Sequence, residues 1–180
     1  MTSPESIQGP LAEMVPVFEG CVLWAVRAIL EAEVKVKASF EVLSAVPEGS
    51  SLYCILPASS LNFYAQLVVG IEEGDLAEFF PKEKDEKVRK DAVGEMANVI
   101  CGLFIADDHF ISTFGYLRPS TPFFSEGAFT ARKDWGLKGR VEVNGKEMAI
   151  QFSIRDLSDP TAPGAERSGN AVPTTEGSPD

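Results

Sequence analysis

The 180-residue chain contains one histidine and three cysteines, and no two of those cysteines stand at C-x-x-C spacing. A zinc centre built on Cys and His therefore lacks its ligands, and a disulfide framework lacks an even set. Cys21, Cys54 and Cys101 all lie in apolar surroundings and read as buried free thiols of a reducing, cytoplasmic protein. Basic residues are also scarce. Sixteen Lys and Arg face 27 Asp and Glu, a net charge of −11, which excludes the basic footprint that nucleic acid or an anionic membrane requires. No uncharged apolar run approaches the ~20 residues of a bilayer span. Met1 to Pro10 carries no Lys or Arg, and Glu13, Glu19 and Arg27 interrupt the first apolar stretch, so no secretory signal is expected. No convincing phosphate-binding glycine pattern occurs. The lone His109 follows Asp107 and Asp108 at what reads as a helix-to-strand turn. Without a second His or Cys at ligand spacing it makes no metal site, and no acid is positioned to orient it as a base for Cys101.

What is present suffices for one sizeable core. Hydrophobic residues make up 44% of the chain, and its length suits a single domain, here residues 1–157. From Ser158 to Asp180 the composition turns to Ser, Pro, Gly, Thr and Glu, with Val172 the only sizeable aliphatic side chain, so residues 158–180 are expected to be a disordered tail. Leu11, Met14, Val15, Phe18, Val22, Ala25, Val26 and Ile29 recur at three and four, predicting an amphipathic helix in which Pro16 marks a first turn or a kink. Val34 to Val42 alternates as a half-buried strand, a turn follows at Pro47-Glu48-Gly49-Ser50, and Leu52 to Leu56 reads as a second strand. Ser59 or Ser60 suits the N-cap of a helix through Leu61, Tyr64, Leu67 and Val68, closed by Gly70. Ile111 to Leu117 reads as a strand. Asn144-Gly145, between Leu137–Val143 and Glu147–Ile154, is a strong hairpin signal. The fold class expected is α/β of the α+β kind, long helices packed on a mostly antiparallel sheet.

The most informative helix follows the charge run Lys82 to Lys90, which reads as its solvated entry. At about 100° per residue, Val88, Ala92, Val93, Met96, Ala97, Val99, Ile100, Leu103 and Phe104 form one apolar arc. Asp91, Glu95, Asn98 and Gly102 stack on the other face within about 60° of one another, with Gly94 beside them. Each glycine costs about 1 kcal/mol against alanine in a helix interior. Their presence points to something that must come close. Asn has no usable pKa and cannot serve as a general base, so its chemistry here is positioning.

The pattern Asp-x-x-x-Glu-x-x-Asn-x-x-x-Gly, from Asp91 to Gly102, resembles the signature helix of the CheC/CheX/FliY family of chemotaxis phosphatases. The resemblance implies a CheC-like domain that hydrolyses the acyl phosphate of a phosphorylated CheY-like response regulator. Asn98 would orient the attacking water and Glu95 would dock on the receiver's active-site lysine. Asp91 would sit at the rim, while Gly94 and Gly102 would let the partner's backbone approach. The Mg²⁺ would be the receiver's own, so this chain would bind no metal or other cofactor. Only Asn98 among the four asparagines has Glu three residues before it; the first helix offers Glu19 with Val22 in the asparagine place. One site per chain resembles CheX, whose members pair as homodimers, and joining of sheet edges is the implied mode. The alternative within the same resemblance is a non-catalytic adaptor that docks a receiver domain or motor component and dimerises.

Overall fold

The computed structural model describes residues 5–43, 50–126 and 134–158. Two helices, α1 (Glu5–Glu13) and α2 (Val15–Leu30), open the chain and lead into β1 (Lys35–Leu43). Strands β2 (Leu52–Ser59) and β3 (Phe63–Ile71) follow, then a short 3₁₀ turn and α3 (Leu76–Phe79). The long helix α4 (Glu86–Ile105) and α5 (Asp108–Phe114) precede β4 (Arg118–Pro119), β5 (Phe123–Glu126), β6 (Asp134–Val143) and β7 (Lys146–Asp156). Every strand pair is antiparallel, in the order β1-β6-β7-β3-β2-β4, with β5 also along the outer side of β2. The expected class is the observed one.

The chain breaks into α1 and α2 where one helix was expected. Pro16 has no N–H to give to a carbonyl four residues back, so it sits in the first turn of α2, and Met14 caps that helix. At the far end of the sheet Asn144 and Gly145 take φ of 53° and 77°, the two left-handed residues a tight hairpin needs, and β6 meets β7 with Val143 opposite Lys146.

Two element assignments fail. Residues 61–70 are strand, not helix. Ser60 does cap, but its Oγ accepts from the N–H groups of Asn62 and Phe63 at 3.3 and 3.1 Å, which closes a β-turn between β2 and β3. Ala65, Leu67, Val69 and Ile71 then face the core at period two, and Gly70 pairs with Tyr53 and Ala149. Strand β2 is buried almost throughout, and burying its backbone demands a neighbour that a helix cannot supply. Residues 108–114 are helix, not strand. The Asp107 carboxylate accepts from His109 and Phe110 N–H at 2.9 and 3.3 Å, and Gly115 at φ 73° ends the turn. The expected turn at residues 47–49 and all but the first residue of the expected tail lie outside the described residues.

The helices cover one face of the sheet. Phe104 of α4 is the hub: its ring stands 5.2 Å from Phe18 of α2, 5.2 Å from Phe110 of α5 and 4.9 Å from Phe152 of β7, all edge-on. All four phenylalanines are fully buried. At the outer side of β1, the Glu19 carboxylate of α2 accepts from Ala38 N–H at 2.8 Å. Replacing Phe104 by alanine empties the junction of three helices and the sheet. A loss of about 3–5 kcal/mol is expected, read as a lower urea midpoint with an unchanged slope.

Candidate functional site

Helix α4 begins where Asp85 accepts from Lys87 N–H at 2.8 Å, so the charge run is divided between the approach and the first turns. Its buried residues are Val93, Gly94, Met96, Ala97, Ile100, Cys101, Phe104 and Ile105. The buried arc is therefore rotated by roughly 80° from the one the sequence predicts. Val88 and Leu103, expected in the core, are 42% and 41% exposed. The rotation follows from a layer the periodicity could not show: β4 and β5 run along the outer side of β2 and pack against the Gly94 flank of α4.

Gly94 is accordingly not open to a partner. It is buried, and a Cβ there would meet Pro122 Cγ at 3.7 Å and the Phe124 ring at 3.9 Å. The groups that approach this glycine are the chain's own side chains. Gly102 differs, being half-buried with no heavy atom within 4 Å of where a Cβ would stand, so nothing in the chain's own packing requires its smallness.

Asp91, Glu95 and Asn98 are all exposed and share the outward face of α4. Their side chains make no hydrogen bond or ion pair with any other described residue. Asp85 and Asp107, in contrast, spend their carboxylates on helix N-termini. The three polar side chains of the row are thus left to solvent, with Glu95 and Asn98 three residues apart and so on one face about a turn along the helix.

Lys90, one residue before the row begins, fixes the frame. Its Nζ lies 2.8 Å from Glu86, 3.1 Å from Glu126 and 3.7 Å from Glu73, joining the first turns of α4 to β5 and to the turn after β3. Hydrogen bonding to Glu86, then to Glu126, holds the ammonium charged far above its ordinary range. The sequence shows one of these partners, since Glu86 and Lys90 stand at i,i+4; Glu73 and Glu126 are long-range and left no signal.

The remaining chemically able groups are inert or scattered. Burial pushes the thiols of Cys54 and Cys101 up to about 12. Burial, then the nearby charge of Asp107, pushes Cys21 up to about 11. None is a thiolate nucleophile at neutral pH. His109 stands on the surface, 4.0 Å from Glu13. Among the described residues no group of three His, Cys, Asp or Glu could hold a metal, and no helix is long and apolar enough to cross a membrane.

No protein-family model and no curated protein matches the sequence. Solved structures do match the fold. A chemotaxis protein CheX from Vibrio vulnificus superposes with a TM-score of 0.61 at 15% identity, over 80% of this chain and 100% of that one. CheX from Desulfovibrio desulfuricans gives 0.62 at 14% identity, over 79% and 99%. A CheX–CheY–BeF3–Mg²⁺ complex from Borrelia burgdorferi gives 0.57 at 15% identity, over 77% and 95%. This chain has the CheC/CheX fold, as the resemblance of its motif helix implied.

The two glycines of α4 separate packing from function. Alanine at Gly94 meets only ordinary van der Waals contacts, and alanine at Gly102 meets none. Each substitution is therefore expected to raise stability, by up to about 1 kcal/mol through helix propensity. A urea titration of Gly94→Ala and Gly102→Ala beside the parent protein checks the sign, and a fall at Gly94 would mean that β5 presses closer on α4 than described.

Proposed function

We propose that this protein is a CheX-like phosphatase of the CheC/CheX/FliY family, which hydrolyses the aspartyl phosphate of a CheY-like receiver domain. The observation that carries the reading is the uncommitted pair Glu95 and Asn98, exposed on a rigidly framed helix of the CheC/CheX fold.

An acyl phosphate is hydrolysed when a water attacks phosphorus in line with the bond to the aspartyl oxygen. That bond breaks, inorganic phosphate leaves and the aspartate carboxylate is regenerated. Little covalent work falls to the protein, so rate comes from placing the water and balancing charge on the phosphoryl oxygens. In this reading the Asn98 carboxamide accepts from the water or donates to it, holding it on the line of attack. Glu95 meets the receiver's active-site lysine, which fixes the register of the two proteins. Asp91 adds a polar contact at the rim, and Gly102 leaves room for the partner's backbone. The Mg²⁺ that balances phosphoryl charge belongs to the receiver.

The test is the decay of a panel of phosphorylated receiver domains in Mg²⁺, with and without this protein. Wild type is expected to accelerate one of them, and Asn98→Ala to lose at least a hundredfold of that acceleration, about 2.7 kcal/mol of placement. Decay unchanged by wild type, with binding retained, would leave the row a docking surface and remove the phosphatase.

A further inference from the structure

The rotation of α4 leaves an apolar seam beside the Glu95 and Asn98 row, and α2 supplies its other wall. Two residues fix how α2 is turned. Glu19 reaches β1 on one flank, whereas half-buried Cys21, two residues on and so about 160° round the helix, packs against the core on the other flank. Trp24 follows Cys21 by three and so shares its flank, on the side of α4. It is 61% exposed.

The two helices run antiparallel, which sets the level at which Trp24 stands. Phe18 meets Phe104 near one end, and Glu31 holds Lys82 at 2.7 Å near the other. At 1.5 Å of rise per residue, Trp24 is about 9 Å along α2 from Phe18, level with the part of α4 between Gly94 and Asn98. Packed helices lie about 8–10 Å apart, so the indole stands about one helix width from the side of α4 that carries Val99 and Leu103, with Glu95 next round the helix and Asn98 beyond it. Between them lie half-buried Val99 and Ala92, and exposed Leu103 continues the seam toward the end of α4. Single exposed apolar side chains are ordinary on any surface. Here they line one valley along one side of the candidate site.

Charge says what the valley accepts. Its α4 edge carries Asp91 and Glu95, neither in an ion pair with a described residue, and the exposed Asp108 lies past its end. The net charge of −11 adds to this field. An occupant with apolar side chains flanked by Lys or Arg satisfies both features. We infer that the valley between α2 and α4, anchored by Trp24, is the second half of the docking surface for the receiver domain whose phosphoryl group faces Asn98. The inference rests on the reading above, and it names α2 as a partner-binding element. Trp24 has the attributes of a binding hot spot: a large amphipathic ring at the centre of a seam whose neighbours exclude water once covered.

The experiment is a binding titration of the full chain with CheY-type receiver domains activated by BeF3 and Mg²⁺, comparing wild type, Trp24→Ala, Trp24→Phe and Asn98→Ala. Trp24→Ala is expected to bind about 10- to 100-fold more weakly, while Trp24→Phe recovers most of the loss and both unfold in urea as wild type does. Binding by Trp24→Ala within twofold of wild type overturns the proposal. So does sedimentation showing a wild-type dimer that Trp24→Ala converts to monomer, because the occupant would then be a second copy of the chain. Failure of the phosphatase reading shows elsewhere, as receiver decay that wild type does not accelerate, and leaves the binding result to stand by itself. Wild type that binds none of the receivers overturns both.

Discussion

The edge-on contacts of Phe104 with Phe18, Phe110 and Phe152 are the constraint on which the rest of the molecule depends. They tie α2, α4 and α5 to one another and to the middle of the sheet, and edge-to-face rings hold direction as well as distance. Once Phe104 points into that junction, every other residue of α4 has its orientation fixed by helical period. Ile100, Ala97 and Val93 follow it into the core. Asn98, Glu95 and Asp91 are left facing outward. The presentation of the polar row is a consequence of packing on the opposite side of the same helix.

The first turns of α4 are also tied down, on the flank that meets β5. Lys90 gathers carboxylates from three parts of the chain, and Pro122 and Phe124 lie over Gly94. A helix held on several sides gives its exposed side chains a fixed origin, which matters for a residue whose whole role would be to place a water, since small misplacements are costly there. The side chains of the row meanwhile keep no partner of their own. Rigid backbone with uncommitted polar tips is a suitable arrangement for a surface that must fit another protein's active site without first breaking contacts of its own.

How much of this was legible in the sequence depended on whether the signal was local. The hairpin at Asn144-Gly145 was readable because its two left-handed residues are adjacent, and the alternation of β1 because one side of it is solvated. The triplet Asp91, Glu95 and Asn98 was readable because helical period brings the three together without tertiary help. Residues 61–70 carry an ambiguous signal because Leu67, Val68 and Val69 satisfy periods of two and of 3.6 alike, and Ser60 caps a turn as well as it caps a helix. Residues 111–117 conceal their helical turn because β-branched Ile111 and Thr113 favour a strand, while the Asp107 cap that starts the helix lies upstream of them. The rotation of α4, and with it the burial of Gly94, depends on β5 lying alongside, a neighbour 30 residues away that no periodicity in the helix records.

The bond from Ala38 N–H to Glu19 bears on how the sheet ends. Strand β1 is the outermost of its side, and an outermost strand offers its free backbone groups to any chain that can add to it. Here one of those donors is already occupied, and by a carboxylate. An incoming strand would find a competitor for the hydrogen bond and a negative charge against its own carbonyl oxygens. Lengthening the sheet past β1, whether by a second copy or by an unfolded neighbour, must first turn Glu19 away. The same helix whose outer surface is inferred to recruit a partner thus carries, on its other flank, a guard against the wrong kind of company.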